Sequence, residues 1–103
     1  MSSKHEVILC IVNEGYSDEV MDAAKRAGAR GGTILHGRGT ANKESEQFFN
    51  IPITPEKDMV MLLVSSKIKD DVLHEIYKSA GLSTPGQGIA FAIEVSGVAG
   101  VKE

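Results

Sequence analysis

The sequence predicts one α+β domain in which two strand–helix–strand halves share a single sheet. Three observations lead there. The first is internal similarity: an offset of 53 carries Val7–Ile11 onto Val60–Val64, Lys25 onto Lys78, and Ala27-Gly28 onto Ala80-Gly81. The second is that the runs Val7–Val12 and Met59–Val64 are apolar at every position, as strands covered on both faces are. The third is that each half ends its helical stretch on a glycine. A length of 103 residues suits one domain, read here as 1–103.

The elements follow in order. Val7–Val12 is the first strand, and Cys10 inside it reads as a small buried hydrophobe. A helix is predicted from Ser17, whose hydroxyl can cap the first turn, with Asp18 and Glu19 at the positive end of the dipole. Val20, Ala24 and Ala27 form its apolar stripe, and Gly28 stops it. A second strand leads to Gly37. The segment Gly39–Thr54 is too long for a tight hairpin and holds no convincing helix or strand, so it reads as a functional or mobile loop. Phe48, Phe49 and Ile51 in it either fold back on the domain or form a docking tip for another protein. The third strand is Met59–Val64. The second helix carries the stripe Ile68, Val72, Ile76 and Ala80, and Gly81 stops it. The last strand is Ile89–Val95.

Right-handed crossovers put both helices on one face of such a sheet, which is the ferredoxin-like βαββαβ arrangement with antiparallel strands. A short doubly wound sheet is the alternative. In the first case the face without helices is aliphatic, and a homo-oligomer is the simplest way to cover it.

Composition narrows the function. The formal net charge is −3, which leaves no basic footprint for nucleic acid. No apolar run is long enough to span a bilayer, and no leader pattern precedes the first one. With a single cysteine, these features point to the cytoplasm. His5, His36 and His74 are scattered without metal-ligand spacing, so no metal site is expected. Asp70-Asp71 suits the first turn of a helix, and no nucleophile–base pair stands out, so no catalytic residue is nominated. Glycine clusters at Gly37-Arg38-Gly39-Thr40 and Gly86-Gln87-Gly88 are either turns or anion-binding nests, with Arg38 as a forked cation for phosphate or carboxylate.

The segment Gly28–Thr33, the long loop after the second strand, and Gly86-Gln87-Gly88-Ile89-Ala90-Phe91 together resemble the nitrogen regulatory P-II signalling proteins. The resemblance implies a homotrimer that binds a small-molecule effector, commonly an adenine nucleotide, in clefts between subunits, and docks a partner protein through the loop. It implies ligand contacts at Thr33, Gly37, Arg38, Gly39, Thr40, Gly86, Gln87 and Gly88. Ile89 stands where typical members carry a lysine, Thr40-Ala41 where they carry a glutamine, and a C-terminal arginine-bearing stretch has no counterpart. Fewer cations favour AMP or ADP over ATP. Two other readings stay open: a small phosphate- or acyl-processing enzyme, and a structural trimer of the divalent-cation-tolerance kind.

Overall fold

The computed structural model describes residues 4–40, 55–84 and 87–101. Its elements are β1 (His5–Asn13), α1 (Ser17–Arg26), β2 (Thr33–Arg38), β3 (Glu56–Ser65), α2 (Lys69–Ser79) and β4 (Gly88–Glu94). The sheet order is β2-β3-β1-β4, and every neighbouring pair is antiparallel. This is the ferredoxin-like arrangement. A doubly wound sheet would need parallel neighbours.

The central strands that look uniformly apolar in sequence alternate strictly in burial. β1 buries Glu6, Ile8, Cys10 and Val12, and β3 buries Asp58, Val60, Leu62 and Val64. The apolar ones among them form one core with Val20, Ala23 and Ala24 of α1 and Val72 and Ile76 of α2. Both helices therefore cover the same face. The other face shows apolar residues in register, one row being Leu35–Met59–Ile11–Ile89 and the next Thr33–Met61–Leu9–Phe91.

Both helices stop as expected. The Ala29 amide donates to the Ala24 carbonyl and the Gly28 amide to Lys25, with Gly28 at φ +111. The Leu82 amide likewise donates to Tyr77, with Gly81 at φ +73. Each is the six-to-one bond of a left-handed helix stop, which glycine adopts without steric cost. The start of α1 differs from expectation. Ser17 is the first helical residue of α1, Tyr16 occupies the capping position, and no side chain caps the turn.

The offset of 53 superposes these stops but not the faces of the strands. It carries buried Ile8 onto exposed Met61, and half-buried Val7 onto buried Val60. The halves match at their helix ends and are one residue out of phase in the sheet.

Candidate functional site

The predicted ligand residues lie at three places in one chain. Gly37 and Arg38 end β2, and Gly39 and Thr40 follow them. The Gly39 amide donates to the Pro55 carbonyl (2.6 Å), which closes the neck of the long loop. Gln87 and Gly88 lie at the same end of the sheet but on the opposite edge, three strand spacings or about 14 Å away. Thr33 begins β2, roughly 20 Å along the strand from Gly39. Within one chain these groups do not converge. Gly86 and the loop residues Phe48, Phe49 and Ile51 lie outside the described residues.

Gly88 has a packing reason to be glycine. A Cβ there would run into the Ile11 carbonyl oxygen and the Val12 side chain. Gly37 differs, because a Cβ on it would meet nothing within 4 Å among the described residues. Among those residues, space thus lies over the end of β2 on the face without helices.

Lys57 stands beside that space. It is the register partner of both Gly37 and Asn13, and its ammonium donates to the Asn13 side-chain oxygen. Sequence reading passed over Lys57 in the charged string Pro55-Glu56-Lys57-Asp58. Its phase is the available signal, since it falls opposite to the buried positions 58, 60, 62 and 64.

Asp58, next to it, points to the helix side and is 2% exposed. One carboxylate oxygen lies 2.7 Å from His36 Nδ1, and the other accepts from the Gly15 amide at 3.1 Å. The Gly15 amide foremost, then His36 and more weakly Ser17, hold the Asp58 carboxyl below its ordinary value against the opposing effect of burial. An ionised carboxylate only accepts, so Nδ1 of His36 carries the proton and Nε2 is the outward nitrogen. His36 is thus tied at one nitrogen and open at the other, its side chain 77% exposed.

Among the described residues no three or more His, Cys, Asp or Glu side chains gather as a metal site. No helix among them is long and apolar enough to cross a membrane. Cys10 is fully buried, and burial pushes its thiol up to about 11.

The family model for nitrogen regulatory protein P-II matches residues 5–103. The chain belongs to that family. Its members are regulatory signal-transduction proteins that form homotrimers and bind small-molecule effectors and partner proteins. Among solved structures, the crystal structure of Arabidopsis thaliana PII bound to citrate superposes with a TM-score of 0.70 at 23% identity. That similarity covers 92% of this chain and 78% of the Arabidopsis chain, and at this identity it speaks for the fold. Comparison with curated proteins finds no match. Lys57 lies against the neck closed by Gly39 and Pro55, since a Cβ on Gly39 would meet the Lys57 side chain.

Proposed function

We infer that this P-II family member is a cytoplasmic, non-enzymatic regulator. It works as a homotrimer, senses an anionic small molecule in clefts between subunits, and controls a partner protein through the 39–54 loop. The observation that carries the reading is the sheet face without helices. Ile89, Phe91 and Ile93 of β4 are 59%, 38% and 48% exposed in the single chain, and Leu35, Met61 and Leu63 continue the surface. Covering apolar area is worth about 25 cal/mol per Å², so such a face drives association. A cyclic assembly of identical chains covers it with the same residues on every subunit.

Association also supplies what one chain lacks. The β2 and β4 edges carry the two glycine clusters and lie on opposite sides of the sheet, so a second copy is needed to bring the two edges together. A cleft formed this way would gather Gly37, Arg38, Gly39, Thr40 and Lys57 from one edge with Gln87 and Gly88 from the other, and Thr33 at its rim. Two cations in that set, Arg38 and Lys57, match a mono- or diphosphate or a small carboxylate better than a triphosphate. AMP and ADP are therefore the first candidates. The citrate in the Arabidopsis protein adds tricarboxylates to the range.

Isothermal titration calorimetry decides the matter, with AMP, ADP, ATP, cyclic nucleotides, bicarbonate, 2-oxoacids and citrate against the oligomer. Binding that Lys57→Ala weakens supports the reading. No heat from any of these ligands would sink the effector part of it.

A further inference from the structure

We propose that His36 and Asp58 form a proton-linked latch that ties the end of β2 to the start of α1, and so makes the base of the long loop respond to pH. The geometry has three parts. β2 is an edge strand whose six residues are all exposed; it pairs with β3 and has no substantial contact with either helix. The bond from His36 to Asp58 joins β2 to its neighbour β3 at a register pair (2.7 Å). Asp58 is buried and holds the Gly15 amide, two residues before α1, with its other oxygen (3.1 Å). A change at His36 therefore passes through one rigid carboxylate to the turn that starts α1.

The same bond governs the loop. His36 is three residues from Gly39, whose amide closes the loop neck on Pro55, and Asp58 is three residues beyond Pro55 on the other arm. Both arms of the neck are thus joined by side chains three residues from the closure. The charged groups on the two strands at this point are Asp58, Glu56 and Lys57 on β3 and Arg38 on β2, while Glu14, Asp18 and Glu19 flank the turn that leads into α1.

With the imidazole protonated, the pair is a charge-assisted bond. With it neutral, the bond remains but is weaker. Histidine makes this change between about pH 5 and 8. The latch is strongest on the acid side of that range and loosens as pH rises through it. It is defined without any effector, so its failure would leave the regulatory reading standing.

The experiment follows two amides and one ring by NMR on the full chain. Hydrogen-exchange protection at Gly15 and Gly39, corrected for the intrinsic pH dependence of exchange, is measured from pH 5.5 to 7.5 alongside the His36 ring nitrogens. In the wild type, Gly15 protection should fall about fivefold across the range, in step with the His36 titration. In His36→Gln, which keeps a donor without a titrating charge, the profile should be flat. His36 is exposed, so this variant keeps the fold, and Asp58→Asn provides a second reading from the other partner. A flat wild-type profile, or the same slope in His36→Gln as in wild type, overturns the proposal.

Discussion

Lys57 and Asn13 face each other across the central β3–β1 pair, and the ammonium of the first is held by the side-chain oxygen of the second. The bond fixes a long, flexible cation on the face without helices, next to the space above Gly37. A lysine held in place binds an anion at less entropic cost than a free one. Lys57→Ala should therefore weaken effector binding about tenfold or more, the usual effect of losing a hydrogen bond to a charged group. Calorimetry on the variant checks this, and unchanged affinity would move the anion contact elsewhere.

Association through the sheet gives the second prediction. Phe91 lies in register with Leu9 at the β4 edge of the apolar face. Phe91→Asp puts a carboxylate there, and burying it unpaired costs several kcal/mol. The variant should elute as a monomer in light-scattering chromatography, with its far-ultraviolet circular dichroism retained. A three-chain mass for the variant would show that this face is not the interface.

Acid stability follows from Asp58. Its folded-state pKa lies below its ordinary value of 3.8, chiefly because of the Gly15 amide. The carboxylate therefore contributes stability that is fully present above the ordinary value and is lost as pH falls through the lower, folded-state one. Asp58→Asn should destabilise the protein by about 1–3 kcal/mol at pH 6 and flatten the stability curve below pH 4. Urea denaturation at pH 3, 4 and 6 would expose an error if the variant kept the wild-type slope.

The thiol gives the fourth. Cys10 is fully buried in the core between sheet and helices, with its pKa pushed up to about 11 by burial. It should resist a thiol reagent at pH 8 in the folded protein and react stoichiometrically in denaturant. Cys10→Ser should cost about 1–3 kcal/mol, because the hydroxyl is buried more reluctantly than the thiol. Rapid labelling of the native protein would contradict the burial.

The parts of this fold that were legible in the sequence are those written in local chemistry. Gly28 and Gly81 mark helix stops because the left-handed position they fill depends on their own backbone. The apolar runs mark the central strands because they are a continuous property of neighbouring side chains. The Asp58 cluster was not legible, since His36 and Gly15 lie 22 and 43 residues away and meet Asp58 only through strand register. A faint sign was present: Asp58 is in phase with Val60, Leu62 and Val64, and a carboxylate in a buried stripe needs partners. The Ser17 cap failed for a related reason. Its hydroxyl could satisfy the helix start, but the turn through Gly15 and Tyr16 is anchored by Asp58 instead, and Ser17 falls one residue inside the helix.

The one-residue phase difference between the halves bears on how this molecule can be rearranged. A chimera in which one half replaced the other, aligned on the helix stops, would turn its central strand inside out: residues that pack under the helices would lie on the face without helices, and the apolar residues of that face would lie under the helices. The two halves look like copies but work as an inner and an outer glove. Any shuffled or duplicated version must shift one strand by a single residue before it can both fold and assemble.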